Sequence, residues 1–245
     1  MTKTGSRRLR LTALMTAMVA ISAPGPAAAA WQSYTNESLG FSVQFPGEPS
    51  EGMGVYRSDL LPEAATHYVT QKDGDSHFVM TVIETGNDVD SALLMGEFEY
   101  WMGHAGVLVL SSVSRLNIGM YYGRFLSVDC SDDIVPESIN QGVRAHQMLK
   151  DAANIVCPNG ARMTINMFFT QGRLYVATGI QTGQNAKISG APGRFVNSFE
   201  WEGENAVRAQ THVDWERAAA ARATTLRNLE NPPAEDGGAQ AENEP

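Results

Sequence analysis

The two cysteines, Cys130 and Cys157, have the greatest capacity for chemistry in this sequence, and they lie 27 positions apart. The alternatives to a disulfide are a metal pair and a redox dithiol, which need further Cys or His partners or a close Cys-x-x-Cys spacing. Neither spacing is present, and the histidines are scattered. Because an even cysteine count favours pairing in an oxidising compartment, we predict a structural Cys130–Cys157 disulfide. The five histidines are His67, His77, His104, His146 and His212.

Two groups of carboxylates are candidates for an ion site. Asp129, Asp132 and Asp133 lie beside Cys130, and residues 73–75 form an Asp-Gly-Asp run. Both lack the alternation and closing Glu of a calcium-binding EF-hand loop, so we predict no metal site and interpret the second group as a turn. The sequence also contains no GxSxG, HExxH, P-loop or GxGxxG motif. We therefore predict a protein that is not an enzyme and needs no cofactor, although a Ser/His/Asp triad assembled in space stays open.

The first thirty residues read as a signal peptide. Four basic residues precede the apolar run Leu11–Ala23, and Ala28–Ala30 offers small residues before Trp31. Thirteen residues span about 20 Å as a helix, which is short of the ~30 Å hydrocarbon core of a membrane. This order of segments is typical of a cleaved export signal. We predict a mature chain that begins at Trp31, is periplasmic, and has no transmembrane span.

The charge balance limits the classes of partner. The full chain has 18 basic and 27 acidic residues, a net charge of −9. Residues 31–245 retain 14 basic residues against the same 27 acidic ones, a net charge of about −13. Nucleic-acid binding depends on Lys and Arg that neutralise phosphates, so this balance argues against a nucleic-acid partner.

Hydrophobic periodicity predicts the helices and strands that position the cysteines and the carboxylates. Residues 161–170 alternate most regularly, and the Asp-Gly run at 73–75 is a strong hairpin signal. Tight hairpins need no crossover helix, so the order of elements predicts an α+β fold with antiparallel pairing. Strands are predicted at 31–35, 41–45, 65–71, 77–85, 107–118, 120–129, 161–170 and 174–180, and helices at 88–105, at 141–154, and around Phe195 and Phe199.

Two segments follow the domain. Residues 203–229 are predicted to form a helical extension in which Trp215, Ala219, Leu226 and Leu229 share a face that Arg222 interrupts. This helix either docks on the domain or recruits a partner. Residues 230–245 contain five acidic residues, three prolines and no basic residue. Such a composition buries too little apolar surface to order itself, so we predict a disordered acidic tail.

Several short motifs resemble the PsbP/Mog1-like family, including its exported bacterial DcrB-type members. These motifs include Trp31 with Tyr34, the run Gly40–Pro49, and Tyr122–Phe125. The closing runs Gly172–Tyr175 and Arg194–Phe199 are also similar to the family. Over residues 31–202 the resemblance implies an α/β/α sandwich with a central antiparallel sheet. It also implies an accessory or binding role rather than catalysis.

These observations favour an exported accessory protein that associates with a protein partner or an envelope assembly. A small-ligand or ion-binding protein and an unrecognised hydrolase are the alternatives. The loop Ser131–Asn140 and the segment Trp215–Leu229 are the predicted contact regions, because neither is needed to close the sheet.

Overall fold

A seven-stranded antiparallel sheet forms the centre of the computed structural model, which describes residues 30–114, 123–131 and 139–208. Its strand order is β3-β4-β5-β9-β8-β7-β6. The strands belong to one compact unit that begins at Trp31. They are β3 (Ser50–Tyr56), β4 (Ala64–Asp73), β5 (Ser76–Glu84), β6 (Gly106–Ser114), β7 (Gly123–Cys130), β8 (Arg162–Thr170) and β9 (Arg173–Gln181).

Tight turns set the register of the two central hairpins. Asp73 pairs with Ser76 across β4 and β5, and Gly74 between them has a φ of 55°. The β8–β9 hairpin turns at Gln171 and Gly172, whose φ values are 51° and 69°. Two positive φ values in a two-residue loop match the right-handed twist of the flanking strands. The hairpin predicted from the Asp-Gly run is confirmed.

Two helices cover one face of the central sheet. The helix α1 (Ser91–Ala105) begins after Asp90, whose side chain accepts from the amides of Ala92 and Leu93. It buries one face with helical spacing, which is formed by Leu94, Met95, Phe98, Trp101, Met102 and Ala105. The helix α2 (Ile139–Ala153) packs beside it through Ala145, Met148 and Leu149. The first core cluster lies between these helices and the sheet.

The other face is covered by a small sheet and a short helix. The strands β1 (Gln32–Asn36) and β10 (Glu200–Trp201) flank β2 (Phe41–Phe45). With α3 (Ala191–Asn197) they enclose a second, aromatic core cluster. Asn166 in β8 ties α3 to the central sheet by donating to the Val196 carbonyl at 3.0 Å. Residues 203–208 are also helical.

The observed boundaries differ from the predicted ones in two places. The strand β3 was not predicted, because its glycines give it little strand propensity. Gly54 is required there, since an added Cβ would lie 2.3 Å from the Asp151 carbonyl oxygen in α2. The helix α3 ends at Asn197, so Phe199 lies beyond it; both rings still pack in the second cluster. The predicted strand at 107–118 is described as β6 up to Ser114, and residues 115–118 lie outside the described ranges.

The predicted α+β fold with a central antiparallel sheet is confirmed by this topology. The second outer layer combines helix with a small sheet. Within the described ranges no helix has the length and apolar character needed to cross a bilayer. Several predictions fall outside those ranges: residues 1–29 of the signal peptide, the loop segment 132–138, and residues 209–245 of the extension and tail.

Candidate functional site

The predicted cysteine pair lies at one end of the sandwich. Cys130 is the last residue of β7, and Cys157 follows α2 in a short segment without regular secondary structure. The structure joins them in a disulfide with Cα atoms 5.4 Å apart, and both residues are buried. The Gly160 amide also donates to the Cys130 carbonyl at 3.0 Å. The segment after α2 is therefore anchored to the central sheet by a covalent bond and a backbone hydrogen bond.

An open groove of about 460 Å³ runs beside this disulfide. One wall is the outer side of α2, and the other is the segment that contains Cys157. Val143 and Val156, one on each wall, are 61% and 56% exposed. Apolar side chains gathered in a concave surface are a common feature of binding sites. The lining residues are Val143, His146, Gln147, Lys150, Ile155, Val156, Cys157 and Pro158.

The charge of this groove differs from that of the chain as a whole. The net charge of the protein is −9, yet among the described residues no carboxylate lines the groove and Lys150 does. The nearby Asp151 carboxylate is engaged elsewhere, because it accepts from Gln147 at 2.6 Å and lies 3.8 Å from Arg57. His146 donates through Nδ1 to the Gly142 carbonyl at 2.9 Å. The groove therefore combines an apolar lining with a lysine amine at its rim.

A second hollow of about 360 Å³ lies on the other side of the same segment and shares Val156 and Pro158 with the groove. His77 lines it, with Nε2 placed 2.6 Å from the Thr70 hydroxyl. Burial, and secondarily the charge of Lys72, lower the pKa of His77 to about 4. His77 is therefore neutral at neutral pH and shares a hydrogen bond with the Thr70 hydroxyl, which is a structural role.

The carboxylates singled out as candidate ion ligands have other roles where the structure describes them. Asp129 binds both Arg162 nitrogens, at 2.7 and 3.1 Å, and lies 3.6 Å from Lys187. The hydrogen bond from Arg162 lowers the pKa of the Asp129 carboxyl. Residues 73–75 belong to the β4–β5 turn. In the described ranges no three His, Cys, Asp or Glu residues are grouped to hold a metal ion, and Asp132 and Asp133 lie outside those ranges.

The aromatic residues that carried the family resemblance are core residues. Phe41, Tyr175, Phe195 and Phe199 are buried together in the second cluster. The Tyr175 hydroxyl donates to the Leu39 carbonyl at 2.8 Å. Burial raises the pKa of this phenol. These side chains are hydrogen-bonded or packed within the domain, so they hold the two layers together.

Sequence reasoning missed the groove. It placed a helix at 141–154, but did not connect Val143 with Val156. The signal in the sequence was that Val143 and Val156 are apolar residues that do not belong to the buried face of their segments. The predicted contact loop Ser131–Asn140 begins immediately after Cys130, whose disulfide partner lines the groove, and leads into α2, which forms the other wall.

The architecture defines an α+β sandwich with a groove beside its disulfide. No protein-family model matches the chain, and no curated protein matches it. Among solved structures it is similar to cyanobacterial PsbP (CyanoP) from Synechocystis sp. PCC 6803. The sequence identity is 11% and the TM-score is 0.43, over 74% of this chain and 97% of the other.

Proposed function

We propose that this protein is an exported, non-enzymatic accessory protein that binds a protein partner through the groove beside the Cys130–Cys157 disulfide. The observation that carries this proposal is the exposure of Val143 and Val156 on facing walls of a concave surface. Exposed apolar side chains gain free energy when a partner removes them from water, at roughly 25 cal/mol per Å².

The construction of the groove suits recognition of a protein segment. One wall is a helix packed on the core, and the other is fixed by a disulfide, so little ordering is required of the groove when a partner binds. Binding surfaces that are ordered beforehand avoid part of the entropy cost of association. An open groove also admits a segment that continues beyond it at both ends, unlike an enclosed ligand cavity.

The lysine at the rim of the groove would favour partners that carry a carboxylate. Lys150 lines the groove, and in the described ranges no carboxylate lines the groove or forms an ion pair with Lys150. A partner carboxylate placed against this amine would form a charge-assisted hydrogen bond. The proposed partner segment therefore presents apolar side chains to Val143 and Val156 and a carboxylate to Lys150.

The proposal is tested by three point variants in the full chain. Val156→Glu and Lys150→Glu should each reduce recovery of a partner captured from a periplasmic extract by about tenfold or more, because each adds a negative charge to the groove. Leu93→Glu is the matched control, since Leu93 is 61% exposed on α1 and does not line the groove. The proposal fails if all three variants recover the same partners equally, or if the groove variants alter only the folding of the protein.

A further inference from the structure

A strip of apolar side chains stays uncovered at one edge of the central sheet. Val107 and Leu110 in β6 are 62% and 50% exposed, and Phe125 in β7 is only partly buried. Val107 pairs with Asp129 and Leu110 with Ser127, across a register shift between Leu108 and Leu110. This β-bulge places Val107 and Leu110 on the same face.

The alternation along β7 identifies which face this is. Leu126 and Val128 point into the first cluster beneath α1 and α2, so Phe125, Ser127 and Asp129 point to the opposite face. Phe125 packs against the second cluster, which confirms the assignment. The small sheet covers the middle of this face, but within the described ranges Val107 and Leu110 stay exposed and Phe125 is only partly covered.

The last described residues, which end at Arg208, lie on this same face of the central sheet. Trp201 in β10 packs against Phe168 in β8 with ring centroids 6.1 Å apart, and Ala206 packs against the second cluster. When the Gln171 amide is oriented with its oxygen toward Arg208, that oxygen accepts a hydrogen bond from Arg208 Nη1 at 3.0 Å. Residue 208 therefore lies beside the β8–β9 turn. Because β8, β7 and β6 are neighbours, β6 is only about 10 Å to the side.

We propose that residues 209–229 form a helix that lies along the strip of Val107, Leu110 and Phe125. A helix of 21 residues is about 31 Å long, and the nine residues of β6 span about 30 Å. The segment carries Trp215, Leu226 and Leu229 on the predicted apolar face. The segment starts beside the β8–β9 turn, and its length as a helix matches the length of β6. Its apolar side chains would cover Val107, Leu110 and Phe125.

The charges of the two parts favour this occupant over a second copy of the protein. Residues 209–229 contain three arginines and two acidic residues, whereas residues 31–208 contain 20 acidic and 11 basic residues. A second domain would bring another net charge of −9 to the same edge. The extension is weakly basic and is tethered to residue 208, so its local concentration is in the millimolar range for a flexible connection.

This inference is independent of the proposed partner groove. The groove is formed by α2 on the face of the first cluster, and the strip lies on the opposite face of the sheet. Covering the strip leaves Val143 and Val156 exposed. Either inference therefore stands if the other fails.

Thiol accessibility tests the docking in the full chain. The only cysteines are bonded to each other, so Leu110→Cys introduces one reactive thiol. Its alkylation should become about tenfold faster when Trp215→Glu and Leu226→Glu are added, if the docked form is about 90% populated. Leu93→Cys on α1 is the control, and its alkylation rate should not change. An unchanged rate at Leu110→Cys would overturn the proposal.

A cross-link distinguishes the extension from a second copy. Leu110→Cys combined with Ala219→Cys, treated with a bismaleimide with a spacer of about 10 Å, should give an internally linked monomer. Leu93→Cys combined with Ala219→Cys should link much more slowly, because Leu93 lies on α1 behind the sheet. Covalent dimers, or equal monomer cross-linking by both pairs, would contradict docking of the extension.

Discussion

At the residue scale, the disulfide has a structural role. It closes a loop of 27 positions between the end of β7 and the segment after α2. The helix α2 lies inside this loop and contributes Met148 and Leu149 to the first cluster. Closing such a loop restricts the unfolded chain, so the bond stabilises both the core packing of α2 and the wall of the groove.

Replacing Cys130 by Ser should lower the free energy of unfolding by about 3–4 kcal/mol, as expected for a loop of this length. Urea unfolding of the oxidised protein measures the change. Cys157→Ser and the double variant are the controls, and each should lose a similar amount, because one bond is removed in every case. Free thiols in the purified oxidised protein would refute the predicted disulfide.

His77 should make stability depend on pH. Its pKa is lowered from 6.5 to about 4 by burial, so between these values the unfolded chain binds a proton that the folded protein does not. The free energy of unfolding must therefore fall as the pH drops from 6.5 towards 4. His77→Gln should flatten the profile in this window. Equal slopes for the His77→Gln variant and the parent protein would rule out this role.

At the element scale, periodicity predicted the parts of the fold whose partners are close in sequence. The face of α1 and the two central hairpins follow from spacing and turn chemistry alone. The strand β3 did not follow, because it is stabilised by pairing with β4 and by contact of Gly54 with the α2 backbone. The groove was missed for the same reason, since its walls meet only in three dimensions.

The start of α1 gives a local test of the element assignments. Asp90→Ala should lower the free energy of unfolding by about 1 kcal/mol, because two first-turn amides lose their acceptor. Asp88→Ala is a matched control, since it removes a nearby carboxylate that does not cap the helix, and should have little effect. Equal losses in the two variants would show that charge rather than capping stabilises this end.

At the scale of the whole molecule, the fold assigns different roles to its two faces. The α1–α2 face carries the groove beside the disulfide, and the opposite face carries the aromatic cluster and the uncovered strip. The described strands of both sheets lie within residues 31–201.

Export should leave a mature chain that begins at Trp31. Intact-mass measurement of the periplasmic fraction should give the mass of residues 31–245, because cleavage follows the small residues at the end of the apolar segment. Replacing Ala28 and Ala30 by larger residues should block cleavage and serves as the control. Soluble protein that retains the mass of residues 1–30 would contradict the signal-peptide prediction.

The central claim is that the groove beside the disulfide contacts a protein partner, and site-specific photo-cross-linking in the periplasm tests it most directly. A photoreactive amino acid at Val156 should give a covalent adduct of defined mass that disappears in the Lys150→Glu variant. The same amino acid at Leu93 should give no such adduct. Adducts of equal yield from both positions, or none from Val156 in cells that export the protein, would contradict the claim.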